Sequence, residues 1–388
     1  MRLAILAPTA GAAFRNESAQ GQGGAERQLV ELGRALAARG HTVDIILDRD
    51  ESAPAEHGGC RLWPVYPRRG LPLLKLLHPK GSTLFGFLRA RGSDVLLQRG
   101  AAELTGLGWL AARMVGIRFV YAVASDSDLE AGHELLPHPQ DRVLYRVGLA
   151  GADHLVVQTP GQQRALQRAF GRVGTVIRSY PEAEPGDGLG SPTGTAVLWG
   201  GNLRPVKRPE WLLSLAISLP QQQFVVFGGA ARGHERYARG IQAALRALPN
   251  VDYLGALAPA ALPAVYRRCR VLLITSEREG FPNTLLAAWQ HGLDVVASVD
   301  PDGLLAGAAL GLTAATLSGL RERLSESLHA GPEPLADRRR RAQDYLRAEH
   351  SPARLTAEWE AILHNISKMR GDARTAGAAL RRGNRPLL

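Results

Sequence analysis

The chain has 388 residues, which is enough for two domains, with 47 Lys and Arg against 36 Asp and Glu and a formal net charge of +11. Hydrophobic residues make up 45% and charged residues 21%, which is typical of a folded globular protein and excludes a disordered chain. No apolar run reaches the roughly 18 residues of a membrane-spanning helix, and the apolar start is too short for a signal peptide. Cys60 and Cys269 lie far apart, which excludes a disulfide framework. We therefore expect a cytoplasmic protein.

The first 48 residues predict a βαβ unit. An apolar strand over residues 3–7 leads into a glycine-rich loop that ends at Gly23 and Gly24. A helix with leucines at helical spacing follows, and residues 42–47 form the next strand. Further apolar strands are predicted at 94–97, 118–122 and 154–158. The pattern indicates an α/β domain with a parallel sheet over residues 1–180.

A Pro- and Gly-rich stretch over residues 181–194 lacks hydrophobic periodicity and predicts a linker. The strand and helix alternation then restarts, which predicts a second parallel-sheet domain over residues 195–351. Its strands are expected at 196–199, 224–227, 251–254, 271–275 and 295–297. An amphipathic helix is predicted over residues 352–368, followed by a basic, disordered tail over residues 369–388.

The first candidate functional segment is the loop at residues 200–210, between a strand and a helix. Gly201 allows the backbone to approach a ligand, and Lys207, flanked by Arg204 and Arg208, supplies positive charge suited to a phosphate. Lysine is otherwise scarce, since the chain has only Lys75, Lys80, Lys207 and Lys368. The alternative is a solvated basic loop.

A second segment, residues 276–289, follows the strand at 271–275 and opens a helix. Ligands in doubly wound folds bind outside the carboxyl ends of strands, where this loop lies. Glu279 is suited to accept hydrogen bonds from hydroxyl groups, and the amides around Gly280 to Thr284 are suited to face a phosphate.

Together, the paired α/β domains, the early Gly-Gly-Ala-Glu-Arg at residues 23–27, the Lys207 loop and the Glu-Gly-Phe-Pro-Asn at residues 279–283 resemble the retaining GT-B glycosyltransferases of glycosyltransferase family 4. The resemblance covers about residues 1–365. It implies that a nucleotide-diphosphate sugar binds the second domain and a hydroxyl acceptor, glycan or lipid-linked, binds the first across a cleft. It also implies retention of configuration, no metal and no cofactor beyond the donor.

Carried onto this sequence, the resemblance implies Lys207 and Glu279 as the catalytic pair. The expected donor-binding residues are Gly23, Gly24, Gly201, Asn202, Arg204, Arg208, Gly280, Phe281, Pro282, Asn283 and Thr284. Two positions depart from the family pattern: Ala287 stands where a second glutamate would hold the ribose, and Asn202 where an arginine would join Lys207 at the diphosphate. Arg204 or Arg208 is the candidate replacement.

On the acceptor side, the histidine that the family often carries after the strand at 118–122 is absent. Asp126 and Asp128 are the candidate acceptor ligands there, and a helix cap or turn is the alternative role. The glycine-rich segment 228–233 lacks the spacing of a dinucleotide fingerprint and is interpreted as structural.

The region 66–91 mixes arginine and lysine with leucine and phenylalanine. Such a surface is suited to a peripheral contact with an anionic membrane, the alternative being a core helix with solvated arginines. No recognition motif accompanies the positive charge, so nucleic acid is not an expected partner.

The sequence thus predicts a glycosyltransferase that acts in polysaccharide or glycoconjugate biosynthesis. Ala287 and Asn202 leave open a catalytically impaired homologue that serves as a binding or scaffold protein in a polysaccharide-assembly complex. A nucleotide-sugar epimerase is a weaker third alternative, because its acid and base residues are not evident.

Overall fold

The computed structural model describes residues 1–14, 24–51, 55–67, 76–130, 136, 138–181, 194–231 and 233–382, with the backbone alone at 76–77 and 369–382. The described residues form two α/β domains, each with a Rossmann-like parallel sheet, in agreement with the sequence prediction. The predicted linker lies outside the described residues except at its ends, Pro181 and Gly194.

The strands of the N-terminal domain are β1 (Arg2–Leu6), β2 (Thr42–Asp48), β3 (Glu56–His57), β4 (Cys60–Tyr66), β5 (Val95–Arg99), β6 (Arg118–Ala122), β7 (His154–Val157) and β8 (Thr175–Val176). They form one sheet in the order β3-β4-β2-β1-β5-β6-β7-β8, in which β3 pairs antiparallel with β4 and the other described pairs are parallel. The helices are α1 (Gly11–Phe14), α2 (Gly24–Ala38), α3 (Ser82–Arg91), α4 (Leu104–Val115), α5 (Pro139–Gly151) and α6 (Pro160–Phe170).

The C-terminal domain contains β9 (Ala196–Gly200), β10 (Phe224–Phe227), β11 (Val251–Tyr253), β12 (Cys269–Ile274), β13 (Asp294–Ala297) and β14 (Leu312–Thr313). These strands pair in parallel in the order β11-β10-β9-β12-β13-β14. The helices are α7 (Pro209–Ser218), α8 (Glu235–Ala247), α9 (Leu262–Arg267), α10 (Asn283–Gln290), α11 (Leu304–Gly307), α12 (Leu317–His329) and α13 (Pro332–Glu349). The central strands β12 and β13 are buried on both faces, which explains their nearly continuous apolar sequences.

Four strands escape the sequence prediction. β3, β8 and β14 are only two residues long, too short for an alternating pattern. β4 contains Pro64, which argues against a strand assignment because proline cannot donate to a ladder hydrogen bond. The strand nevertheless forms, and its pairing with β2 shifts register between Leu47 and Asp48, opposite Pro64 and Tyr66.

The last helix, α14 (Pro352–Arg382), returns the chain to the N-terminal domain. Leu355, Trp359 and Leu363 are buried in the apolar cluster that also holds α2. The helix starts where the sequence predicts but continues past Lys368, the predicted end, so residues 369–382 have a helical backbone rather than forming part of a disordered tail. Alanine and arginine, which are abundant there, have high helix propensity.

We predict that Trp359→Ala destabilises the protein by about 3–5 kcal/mol, because Trp359 is 3% exposed and its removal opens a cavity between α14 and α2. Denaturant unfolding measures the effect. Asn365→Ala, on the exposed side of the same helix, is the matched control and should change the free energy of unfolding by less than about 0.5 kcal/mol. Equal effects of the two substitutions would contradict the docking of α14.

Candidate functional site

Hydrogen bonds join the loop after β9 to the loop after β12, close to the carboxyl ends of these neighbouring strands. Thr275 Oγ1 donates a hydrogen bond to the Lys207 carbonyl at 2.7 Å and accepts one from Trp199 Nε1 at 2.9 Å. The Glu277 amide donates to the Val206 carbonyl at 2.8 Å. The backbone around Lys207 is therefore fixed against the loop that carries Glu279.

Lys207 and Glu279 form an ion pair in which Nζ donates to Oε1. Ser276 Oγ donates to the same carboxylate oxygen at 2.5 Å. The Lys207 and Glu279 side chains are 19% and 12% exposed, so both are mostly shielded but remain reachable from solvent. The structure thus brings together the two residues that the sequence predicts as the catalytic pair, although they lie 72 residues apart in the chain.

The two arginines beside Lys207 have different environments. Arg208 pairs with Glu277 at 3.4 Å, and its guanidinium lies 4.6 Å from the centre of the Trp211 ring. The Arg204 guanidinium makes no hydrogen bond or ion pair with any residue that the structure describes, and its Nε is buried. Asn202 lies in the same loop and is half-buried. Arg204, rather than Arg208, therefore has its charge available to a ligand.

The start of α2 contacts the start of α10 across the two domains. Asn283 Nδ2 donates to the Gly24 carbonyl at 3.1 Å, and Gln28 Nε2 donates to Asn283 Oδ1 at 3.2 Å. A Cβ at Gly24 would lie 2.3 Å from Asn283 Nδ2, so a side chain at this position would displace the Asn283 amide from its contact. Gly23, predicted beside it, lies outside the described residues.

Gly280 meets the N-terminal domain in the same way. A Cβ there would lie 2.9 Å from Gln162 Nε2 and 3.1 Å from both the Ala124 carbonyl and Gln158 Nε2. The residues that follow are anchored: Phe281 is 5% exposed, with its ring 5.2 Å from that of His350, and Pro282 is buried. The Glu279 loop is therefore held between the two domains.

The first turn of α10 has no side-chain cap, and its N-cap residue is Pro282. Its amides, at Asn283 and Thr284, are of the kind that binds anions. Further along this helix, Ala287 is fully buried in the apolar core of the C-terminal domain. Position 287 thus offers no oxygen to a ribose hydroxyl.

Asp126 lies on the N-terminal side of this interface and accepts a hydrogen bond from Gln162 Nε2 at 3.0 Å. Burial raises the pKa of Asp126 to about 6; the Gln162 hydrogen bond opposes the shift, while Asp302, Glu130 and Asp128 add to it. Gln162 is also the side chain nearest to Gly280, which links Asp126 to the Glu279 loop. An acidic group of this kind can hold or accept a proton near neutral pH.

Asp128 has a different role. Its side chain is 1% exposed and accepts hydrogen bonds from the Ala124 amide at 2.8 Å and from the Ser125 amide and Tyr121 hydroxyl at 3.3 Å each. With Ser125 it forms a capping box on the short turn Asp126–Asp128. The structure therefore supports the capping alternative for Asp128, because the buried carboxylate presents no surface to an acceptor.

The sequence prediction did not include Arg99, the last residue of β5, as a candidate ligand-binding cation. Its guanidinium has no hydrogen bond or ion pair among the described residues. Burial lowers the pKa of Arg99 to about 10, while Asp128, Tyr121 and Glu26 oppose the shift. Its position at the carboxyl end of a central parallel strand was the available signal.

The described parts of the remaining predicted segments have structural partners, whereas residues 68–75 of the region 66–91 lie outside the described residues. The Gly201 amide, just after β9, donates to the Phe227 carbonyl at 3.1 Å, and the Gly228 amide donates to the Gly255 carbonyl at 2.8 Å. In the region 66–91, Lys80 pairs with Glu103, and Arg91 lies 4.6 Å from the centre of the Trp63 ring. These two cations are therefore turned toward protein groups.

No helix among the described residues is long and apolar enough to cross a bilayer. No group of three or more His, Cys, Asp or Glu side chains in the described ranges has the arrangement of a metal site.

Two protein families match this chain in succession. Residues 23–180 match the family described as "Glycosyl transferase 4-like domain", and residues 194–315 match "Glycosyl transferases group 1". The first region ends and the second begins on either side of the predicted linker. The chain therefore carries glycosyltransferase domains of the 4-like and group 1 families.

One curated protein and two solved structures illustrate what the chain is similar to. A D-inositol 3-phosphate glycosyltransferase from Xylanimonas cellulosilytica is 26% identical over 71% of this chain and 75% of its own length. Sucrose-phosphate synthase from Thermosynechococcus elongatus has a similar structure, with a TM-score of 0.73, 20% identity, and coverage of 97% of this chain and 100% of its own. Anabaena HepE, solved with UDP, has a TM-score of 0.68 at 16% identity and covers 94% and 100%. The fold is GT-B.

We predict that Asp126→Asn changes the pH dependence of stability. The folded state holds a proton on Asp126 up to about pH 6, whereas the unfolded chain releases it near the ordinary value of 3.8. Stability of the wild type therefore falls as pH rises through this interval, and the variant lacks that component. The difference in Tm, variant minus wild type, should therefore become more positive as the pH rises from 3.8 to about 6. A pH-independent difference would contradict the shifted pKa.

Proposed function

We propose that this chain is a retaining glycosyltransferase that moves a sugar from a nucleotide-diphosphate donor to a hydroxyl group of a glycan or lipid-linked acceptor. The donor binds the C-terminal domain and the acceptor the N-terminal domain. We further propose a role in polysaccharide or glycoconjugate biosynthesis in the cytoplasm. The UDP bound to Anabaena HepE supports a nucleotide-diphosphate donor, and the name of the Xylanimonas relative supports a polyhydroxyl acceptor.

The observation that carries the proposal is the Lys207–Glu279 pair at the interface of the two domains. In the proposed reaction, Lys207 moves from the carboxylate to the donor diphosphate, and Glu279 then accepts hydrogen bonds from hydroxyls of the donor sugar. The acceptor oxygen bonds to the anomeric carbon while the bond from this carbon to the diphosphate oxygen breaks. The acceptor proton passes to the departing diphosphate, whose growing charge Lys207 stabilises.

We propose Arg204 as the second cation at the diphosphate. It has no partner among the described side chains, whereas Arg208 already pairs with Glu277 and lies over Trp211. An unpaired cation in a phosphate-binding loop gains a charge-assisted hydrogen bond when the ligand enters. Arg204 would thereby compensate for Asn202, which stands where the family that this chain resembles has an arginine.

On the acceptor side, Asp126 is the candidate ligand for the attacking hydroxyl. Gln162, which donates a hydrogen bond to Asp126, also lies next to Gly280, the residue that follows Glu279. With two cations for the leaving group, we propose that the reaction needs no metal. Product formation by a donor panel should then be the same with and without EDTA, and a strict metal requirement would contradict this.

One observation favours a second function. Ala287 removes the carboxylate that would hold the donor ribose, which is consistent with a catalytically impaired homologue that binds partners in a polysaccharide-assembly complex. Such a scaffold would transfer no sugar from any donor. The unpaired Arg204 favours the enzyme, because a protein without an anionic ligand gains nothing from an uncompensated, partly buried charge.

We predict that Lys207→Ala lowers the rate of sugar transfer at least about 100-fold, because the variant loses a preorganised charge at the leaving diphosphate. The Thr275 hydrogen bond to the Lys207 backbone is unaffected, so the variant should fold. Initial rates with the donor that supports transfer and a circular dichroism spectrum test both statements. A folded variant with the wild-type rate would exclude the assigned role.

We predict different effects for the two neighbouring arginines. Arg204→Gln should raise the apparent donor KM roughly 10- to 100-fold, the equivalent of one or more charge-assisted hydrogen bonds. Arg208→Gln, which breaks a partly exposed pair with Glu277, should change it less than about fivefold. The reverse ranking would assign the diphosphate to Arg208.

A further inference from the structure

Large apolar side chains are exposed on one region of the N-terminal domain. Leu110 and Met114 on α4 are 39% and 64% exposed, and Val143 and Val147 on α5 are 61% and 43% exposed. Val173, just after α6, is 63% exposed. Among the described residues, the other large apolar side chain with this exposure is Ile217, in the C-terminal domain.

The two helices lie side by side with very close backbones. A Cβ at Gly106 would lie 2.3 Å from the Leu144 carbonyl oxygen, one at Gly148 would lie 2.4 Å from the Thr105 backbone, and one at Gly151 would lie 2.3 Å from the Trp109 ring. Other side chains of both helices fill the core beneath. The exposed apolar residues therefore flank the seam between α4 and α5 on its solvent side.

The Arg172 guanidinium lies at the carboxyl end of α5, where it donates hydrogen bonds to the Ala150 and Ala152 carbonyls. We call the surface formed by Leu110, Arg113, Met114, Val143, Arg146 and Val147 the α4–α5 face.

The charge on this region has a single sign. α3 and α4 contain no acidic residue, and the acidic residue of α5, Asp141, is buried. Arg89, Arg113 and Arg146 are exposed. The acids at the edges are neutralised, since Glu103 pairs with Lys80, and Asp153 pairs with Arg118 at 2.6 Å.

We propose that the α4–α5 face is a peripheral docking surface for an anionic lipid bilayer. Its apolar side chains would enter the boundary between headgroups and acyl chains, while Arg113 and Arg146 would pair with lipid phosphates. The exposed positive charge of Arg113 and Arg146 complements the negative surface of an anionic leaflet, and the exposed apolar side chains between them suit its interfacial layer. This surface is proposed in addition to the region 66–91, where Lys80 and Arg91 are paired within the protein and residues 68–75 lie outside the described residues.

The surface is separate from the Lys207–Glu279 site, so its test requires no sugar transfer. Sedimentation with vesicles of equal parts phosphatidylglycerol and phosphatidylcholine should recover the full-length protein, and pure phosphatidylcholine vesicles should recover much less. Raising the salt concentration should weaken the binding.

Two variants test the face itself. The double substitution Arg113→Glu and Arg146→Glu, and the triple substitution Leu110→Gln, Met114→Gln and Val147→Gln, should each weaken binding to the anionic vesicles at least about tenfold. All five side chains are surface residues, so both variants should keep the wild-type Tm. Ile217→Gln and Arg321→Glu, exposed in the C-terminal domain, are the matched controls and should bind like the wild type.

Three results would overturn the proposal. The wild type fails to bind anionic vesicles; or both face variants bind as it does, which would assign the contact to another basic segment such as the C-terminal tail; or the face variants change only the oligomeric state, which would assign the face to a second copy of the chain.

Discussion

The ion pair between Lys207 and Glu279 is the interaction on which the architecture of the candidate site depends. It joins the loops that leave two neighbouring parallel strands, and its orientation is fixed by the Thr275 and Ser276 side chains. A lysine and a glutamate held together neutralise each other until an anionic ligand competes for the lysine. The same contact thus keeps both side chains in place without a ligand and leaves each able to bind one part of a nucleotide-sugar donor.

The fold places this pair between the domains by several independent contacts. Asn283 reaches the Gly24 carbonyl, and Gly280 lies against Ala124 and Gln162. A further junction lies just before α14, which returns the chain to the N-terminal domain. There, the His350 ring lies next to Phe281 and donates a hydrogen bond from Nδ1 to the Ser179 carbonyl at 2.7 Å. Burial lowers the pKa of His350 to about 4, so the His350 ring is uncharged at neutral pH. Phe281 connects the junction to the Glu279 loop.

Much of this arrangement is predictable from the sequence, because parallel strands read as apolar runs and because ligands bind where such strands end. Lys207 and Glu279 follow from that rule and from their motifs. Strands of two residues, such as β8 and β14, are too short to show a pattern, and Pro64 argued against a strand at β4.

The sequence also left Arg204 and Arg208 equivalent, and only their contacts separate them. Arg208 contacts Glu277 and Trp211, whereas no described side chain pairs with the Arg204 guanidinium. Asp126 and Asp128 likewise differ by burial and by the amides that Asp128 caps, which are tertiary properties.

The central claim is that the Lys207–Glu279 site holds a nucleoside diphosphate, and calorimetry tests it most directly. Titration of the wild type and Lys207→Ala with UDP, GDP, ADP and TDP requires neither a donor sugar nor an acceptor. We predict that at least one nucleotide binds the wild type and that its Kd rises at least about tenfold in the variant, which corresponds to the loss of one charge-assisted hydrogen bond. Absence of binding to the wild type by all four, or equal binding by both proteins, would contradict it.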